Sequence, residues 1–244
     1  MDYKEYIKNK TVALVGPAAY MIGSSFGEEI DKHDIVVRIN RGIELISKHH
    51  DDIGKKTDIL YSCLLDVAEN AGKQDPQSLK NDYRIGILCT VPHSDMKGIA
   101  TKTELHHMVN KRSVDKISEL IPVRIIEHDF FTGISRKINC RPNTGFIAIF
   151  DLLRFNPKQL SVFGFSFYLD GFMPNYKSGI AMSESEFAKK CFNSKRHVQK
   201  NMWAYCKETL CVDKKVKLDP HLKEILNLEH FDKEEYQTKN EIRH

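Results

Sequence analysis

Val12-Ala13-Leu14-Val15-Gly16-Pro17-Ala18-Ala19-Tyr20-Met21-Ile22-Gly23-Ser24-Ser25-Phe26-Gly27 is the stretch on which the reading of the fold turns. Four apolar residues without alternation, ending at Gly16, predict a strand covered on both faces, and the small residues after it predict a loop opening toward a helix. The glycines fall at 16, 23 and 27. That spacing fits neither the G-x-G-x-x-G of dinucleotide sites nor the G-x4-G-K-[ST] of triphosphate sites, so neither ligand is expected. By themselves the glycines are equally consistent with a plain turn.

Five further apolar, β-branched runs follow, at 35–40, 58–63, 83–91, 122–128 and 160–167, with polar or helical stretches between them. Runs of this kind mark a parallel sheet between helices. The expected fold class is α/β, a Rossmann-like three-layer doubly wound mostly parallel sheet in a single domain. Helices are expected at 24–32, 101–119, 144–155 and 184–210. The segment 144–155, TGFIAIFDLLRF, is apolar round most of its circumference, so it is expected deep against the sheet. On this reading residues 1–220 form the domain and 221–244 a polar tail.

A chain of 244 residues buries roughly 70–75% of its unfolded surface, enough for a large core. The 37 basic and 33 acidic residues leave a formal net charge of +4, too small and too dispersed to argue for nucleic acid or a membrane surface. MDYKEYIKNK at the N-terminus lacks the apolar centre of a signal peptide, and no later window reaches ~18 consecutive apolar residues. A soluble, cytoplasmic protein with no integral membrane segment is expected. The six cysteines, at 63, 89, 140, 191, 206 and 211, show no C-x-x-C pair and no zinc spacing, so thiols rather than disulfides are expected.

Beyond the opening stretch the chain reads Gly27-Glu28-Glu29-Ile30-Asp31-Lys32-His33-Asp34-Ile35-Val36-Val37-Arg38-Ile39-Asn40-Arg41, and then Gly54-Lys55-Lys56-Thr57. A second block, Arg141-Pro142-Asn143-Thr144-Gly145-Phe146-Ile147-Ala148-Ile149, is followed by Leu160-Ser161-Val162-Phe163-Gly164-Phe165. Physically the second block is a small-residue turn capping a buried helix. Asn143 or Thr144 serves as N-cap, and Gly145 lets the backbone approach a phosphate or ribose. Together the blocks resemble the long and short sialylmotifs of the eukaryotic-type sialyltransferases, glycosyltransferase family 29. The long motif has the form V-V-G-N-S-G, G-x-E-I-D-x-H-D-x-V-I-R-x-N-R and V-G-x-K-T; the short one runs P-S-T-G-x-x-A and leads to V-Y-G-F. The resemblance covers about residues 11–205.

That resemblance implies a GT-A-like variant of the doubly wound fold and an inverting, metal-independent transfer of sialic acid from CMP-sialic acid to a glycan hydroxyl. The CMP-sugar is the donor substrate, and no cofactor is implied. The lack of any Asp-x-Asp in the chain agrees, since N–H groups, hydroxyls and a helix N-terminus can stabilise a leaving group with a single phosphate. In the family the general base is a histidine. His197, the only histidine between the second block and residue 220, takes that role, and an ordinary imidazole pKa near 6.5 suits it. By position the nucleotide would meet Gly16, Pro17 and Ala18 in the first loop, Asn40 after the second strand, and Asn143, Thr144 and Gly145. Gly164, Phe165 and Ser166 would border the cytosine, and Tyr168, Tyr176 and Lys177 are phosphate candidates. His33 is expected to support a turn, while His49, His50, His106 and His107 are expected to be exposed.

Three departures from the family pattern stand out. Val12 occupies the usual position of a cysteine, so the family's bridge is not expected. Pro17 replaces the motif asparagine and removes its donors, so either another donor in the loop compensates or nucleotide affinity drops. Asn201 and Met202 stand where a glutamate follows the family's histidine. The missing anchor and stem fit a soluble microbial or viral homologue or a trimmed domain. Two alternatives remain open: a transferase of Kdo or another ulosonic acid from its CMP-sugar, and a non-catalytic nucleotide- or glycan-binding protein. An NAD(P) oxidoreductase is disfavoured by the missing glycine pattern. The partners implied are a CMP-sugar donor and a glycan acceptor, with no nucleic acid. Acceptor, linkage and oligomeric state have no readable code.

Overall fold

The computed structural model describes residues 2–64, 75–92, 111–176, 182–234 and 236. Among them, strands β1 Thr11–Val15, β2 Ile35–Ile39, β3 Ile59–Ser62, β4 Ile87–Thr90, β5 Val123–Ile125, β6 Gln159–Phe163 and β7 Val216–Leu218 form one sheet. Its order is β5-β4-β3-β2-β1-β6-β7, and every neighbouring pair is parallel. The helices are α1 Tyr3–Ile7, α2 Gly27–Asp31, α3 Ile46–Ile53, α4 Pro76–Asn81, α5 Lys111–Ser118, α6 His128–Lys137, α7 Thr144–Leu153, α8 Glu184–Phe192, α9 Gln199–Leu210 and α10 Pro220–Leu226.

Side chains alternate across a strand, and here the alternation divides one sheet between two cores. Val12 and Leu14 of β1, Val37 of β2 and Tyr61 of β3 join the large cluster with α1, α6, α7, α9 and α10. Ala13, Val15 and Val36 face the other way, with Ile30 of α2 and Ile53 of α3. Leu60 and Leu88 do the same, with Leu79 of α4 and Ile117 of α5. Three layers result, as the near-continuous apolar runs predict. Each fully buried Val, Leu or Ile contributes about 1.5–3 kcal/mol.

Helix α7 carries the second sequence block. Asn143 caps it, Oδ1 accepting from the Phe146 N–H at 2.8 Å, and every residue from Thr144 to Leu152 is buried. Its one carboxylate, Asp151, is fully buried and anchors the helix to the sheet. The Tyr61 hydroxyl donates to it at 2.6 Å, and so does Arg124 of β5 at 2.6 Å. Arg154 Nε adds a third donor at 2.9 Å. With these contacts the orientation of the α7 N-terminus is set.

The structure departs from the expected elements in two places. The single helix expected at 184–210 is two helices, α8 and α9, with a break at 193–198. Asn193 ends α8, and the Ser194 hydroxyl accepts from the His197 N–H at 3.1 Å. The stretch expected as a polar tail contributes Leu222, Ile225, Leu226, Leu228 and Tyr236 to the main core, and Trp203 Nε1 donates to the Ile225 carbonyl at 2.9 Å. Of the helix expected at 101–119, residues 101–110, which include His106 and His107, lie outside the described residues. His49 and His50, expected to be exposed, are half-buried. His33 does hold a turn: its Nδ1 meets the Glu29 carbonyl at 3.0 Å, and its Nε2 meets Ser161 Oγ at 2.8 Å.

Candidate active site

In an open parallel sheet the crevice opens beyond the strand carboxyl ends where the strand order reverses. Here the reversal lies between β1, from which the order runs outward to β5, and β6 on its other side. A cavity of about 250 Å³ lies there. Its wall includes Pro17, Ala18 and Asn40 from the first block, Asn143, Thr144 and Gly145 from the second, and Gly164, Phe165 and Ser166 after β6. Tyr168, Tyr176 and His197 complete the set. Gly16 is not part of the wall, and Lys177 lies outside the described residues.

The loop after β1 offers no anion cradle. Its Gly16 N–H donates to the Phe163 carbonyl at 2.8 Å, and the Ala18 N–H donates to the Gly164 carbonyl at 3.1 Å. Pro17 has no N–H, and its carbonyl accepts from Met173 at 2.8 Å. Both amides flanking Pro17 are spent joining β1 to the loop after β6, so neither replaces the donors of the motif asparagine. Gly16 has a steric role instead: a Cβ there would sit 2.3 Å from the Gly164 carbonyl oxygen and 2.9 Å from the Phe165 ring.

Donors come from elsewhere. The Thr144 and Gly145 N–H groups open α7 and have no intrahelical acceptor, so the positive end of that helix faces the cavity. Two asparagine–tyrosine pairs flank it. Asn40 Oδ1 accepts from the Cys63 N–H at 3.0 Å, and the Asn40 side chain is also hydrogen-bonded to the Tyr176 hydroxyl. Asn143 Oδ1 is committed to its cap, and Nδ2 reaches the Tyr168 hydroxyl at 3.5 Å. With an amide donating to its oxygen, the Tyr168 hydroxyl keeps its own hydrogen for another acceptor. Burial pushes both phenols up, so they stay protonated at neutral pH. Tyr168 and its neighbour Phe167 sit at positive φ, 64° and 50°, a conformation that costs of order 1–3 kcal/mol per residue and recurs at ligand sites.

His197 occupies the break between α8 and α9. The Arg141 N–H donates to the Arg196 carbonyl at 3.1 Å, and His197 Nδ1 bonds back to the Arg141 carbonyl at 2.9 Å. This double tie places the imidazole beside the turn that starts α7. A carbonyl oxygen only accepts, so Nδ1 carries the hydrogen and Nε2 holds the lone pair. Burial lowers the His197 pKa to about 4; the bond to Arg141 opposes that shift, and the nearby Arg141 and Arg196 charges add to it. The ring is therefore neutral at pH 7. Where a family glutamate would stand, Asn201 Nδ2 donates to the Ile138 carbonyl at 2.9 Å, and Met202 is in the core.

Some prominent motif residues are scaffold. Arg38 is buried, with Nε on Thr57 Oγ1 at 2.8 Å and one terminal nitrogen on the carbonyls of Ile53, Gly54 and Lys56 at 2.9–3.0 Å. Asp31 accepts from the Lys55 and Lys56 N–H groups. The Gly54–Thr57 stretch thus closes onto β2 and does not form part of the cavity wall. Sequence reading missed Tyr20 and Asp219, whose contacts with the Gly164–Phe165 turn join segments 199 residues apart. The one local signal was Asp-Pro opening a helix at 219–220. Among the described residues, no three His, Cys, Asp or Glu side chains gather as a metal site, and no helix is long and apolar enough to cross a membrane. None of the six cysteines is in a disulfide.

The family model described as glycosyltransferase family 29 (sialyltransferase) matches residues 4–177. Among solved structures, a mammalian sialyltransferase is similar at 17% identity and a TM-score of 0.51, over 88% of this chain and 71% of the other. A mammalian sialyltransferase in complex with Gal-beta-1-3GalNAc-ortho-nitrophenol is similar at 16% identity and 0.50, with the same coverage. The sialyltransferase CstII from Campylobacter jejuni, in complex with the substrate analogue CMP-3FNeuAc, is similar at 15% identity and 0.50, over 87% of this chain and 88% of that one. A comparison with curated proteins gives no match. With the family model covering most of the chain and both of its blocks on one cavity, the chain belongs to glycosyltransferase family 29 and is a glycosyltransferase of the sialyltransferase type.

Proposed function

We propose that the chain moves sialic acid from a CMP-activated donor to a hydroxyl of a glycan acceptor, with inversion at the anomeric carbon and without a metal ion. The observation that carries this reading is the His197 tautomer: Nδ1–H is held by the Arg141 carbonyl at 2.9 Å, in the wall of a cavity shared by both sequence blocks. In the proposed step Nε2 takes the proton of the acceptor hydroxyl as its oxygen bonds to the anomeric carbon. The bond from that carbon to the phosphate oxygen breaks, and its electron pair leaves with CMP. The phosphate is assigned to the α7 N-terminus, with the Thr144 and Gly145 N–H groups and the Tyr168 and Tyr176 hydroxyls as donors. Gly164, Phe165 and Ser166 are assigned to the cytosine side, and Asn40 positions the phenol of Tyr176. Support for the donor and acceptor classes comes from the fold neighbours, one in complex with CMP-3FNeuAc and one with a Gal-beta-1-3GalNAc compound.

The test is CMP release from CMP-sialic acid and from CMP-Kdo, without acceptor and then with a panel of glycans. CMP-sialic acid is expected to be turned over, and His197→Gln is expected to lower transfer by about 10²–10⁴-fold while CMP binding persists. An unchanged rate in that variant removes His197 as the base. Turnover of CMP-Kdo alone reassigns the donor, and CMP binding without turnover of either makes the protein a binding module.

A further inference from the structure

We propose that Tyr20 and Asp219 are positioning residues that act as one unit, fixing the Gly164–Phe165 backbone and through it the donor nucleotide; the proposal rests on the cavity being the CMP-sugar site. Asp219 is 3% exposed and spends both oxygens. Oδ2 accepts from the Tyr20 hydroxyl at 2.6 Å and from the Gly164 N–H at 3.0 Å. Oδ1 caps α10, accepting from the Leu222 N–H at 2.8 Å. The Tyr20 oxygen in turn accepts from the Phe165 N–H at 3.0 Å. Two consecutive amides of one turn are thus held by a tyrosine from the β1 loop and a carboxylate from the far end of the chain. The Tyr20 ring is stacked on His221, with centroids 3.9 Å apart, and His221 Nε2 lies 3.2 Å from Asp170 Oδ2, so the hydroxyl is aimed from behind.

Neither Tyr20 nor Asp219 lines the cavity, whereas Gly164, Phe165, Ser166 and Leu222 do. The part of the wall that both residues hold is the Gly164–Phe165 turn. The lever is the Phe165 ring. A Cβ on Gly16 would meet it at 2.9 Å and a Cβ on Gly145 at 2.7 Å, so the ring is wedged between the first-block turn and the start of α7. Shifting the Phe165 amide shifts the spacer between the two surfaces that face the nucleotide. Asp219 lies beyond the 4–177 span of the family match, so its role is not implied by the matched segment.

Tyr20→Phe deletes one oxygen and leaves the ring stack in place. It strands the Phe165 N–H and removes one of the donors to Asp219. Asp219→Asn keeps the shape but turns an NH₂ toward one of the former donors. Each is expected to raise the donor KM and the CMP Kd about tenfold, with acceptor KM and kcat changed less than about twofold. The double variant is expected to be no worse than the more impaired single one, since both act through the same turn. Unchanged donor KM and CMP Kd in Tyr20→Phe, losses that add in the double variant, or an equal rise in acceptor KM would each overturn the proposal. If Asp219→Asn does not fold, Tyr20→Phe decides by its donor-against-acceptor split. A parent protein that binds no CMP sinks the cavity reading and this proposal with it, whereas a parent that binds CMP as the variants do sinks only the positioning unit.

Discussion

Acidifying the solution from about pH 8 to about pH 3.5 probes how the cavity holds His197. In the free protein burial keeps the imidazole neutral down to a pKa of about 4, against an ordinary value near 6.5. The profile of kcat/KM reports the free protein, so its acid limb is expected near pH 4. The profile of kcat reports the complex, in which the donor phosphate adds a negative charge. An anion ~6 Å away at an effective dielectric of ~20 favours imidazolium by about 3 kcal/mol. The kcat limb is therefore expected to move back up toward the ordinary value, and the two limbs separate. Stability follows the same group with a definite sign. Between the folded and unfolded pKa values the unfolded chain binds more protons, so the His197 contribution is intact above about 6.5 and erodes as pH falls toward 4. The full loss is about 3 kcal/mol below that window. Initial rates with donor varied at fixed acceptor, together with urea denaturation at each pH, measure both effects, and His197→Gln should flatten this part of the stability curve. Coincident limbs near 6.5, or a His197→Gln stability profile that parallels the parent's, would refute the placement of the ring.

The two glycines that border the Phe165 ring should differ in tolerance. Gly16→Ala drives a Cβ to 2.3 Å from the backbone oxygen of Gly164, and a loss of about 3 kcal/mol or more is expected by urea denaturation. Gly145→Ala meets the Phe165 ring edge at 2.7 Å; a loss of about 1–3 kcal/mol is expected, with weakened CMP binding by calorimetry, and equal tolerance at the two sites would contradict the geometry. Asp151→Ala leaves Arg124, Arg154 and Tyr61 around a vacated carboxylate, and unfolding is expected to become easier by about 3–5 kcal/mol. The CMP Kd of the folded variant should stay near that of the parent, because Asp151 is not part of the cavity wall.

Six of the seven strands were legible because each lies in a near-continuous apolar run, and the order of the two blocks pointed to one cavity. What the sequence hid has physical reasons. β7 is a three-residue edge strand with residues half-buried, exposed and half-buried, too short and too polar to stand out. The break at 193–198 keeps helix-forming residues on both sides, and it is fixed by the Arg141–Arg196 bond, a contact no local pattern encodes. The C-terminal stretch was read by its charge, yet Leu222, Ile225 and Leu226 keep the i, i+3, i+4 spacing of a buried face. Most of the residues named for the nucleotide share one cavity wall, but several have their polar groups committed within the fold. Gly16 and Ala18 have their amides spent on backbone carbonyls, because pairing between β1 and β6 continues past the strand ends. Asn40 and Asn143 are occupied in holding a loop and a helix start.

Because one phenyl ring fills the space left by two glycines from separate blocks, residues 16, 145 and 165 cannot drift independently through evolution. A methyl gained at either glycine calls for a thinner side chain at 165, and a broader ring there is admitted only while both partners stay bare. Homologous chains that differ at one of the three should therefore carry a matching change at another, a correlated signature of the closed interface between the two halves of the fold.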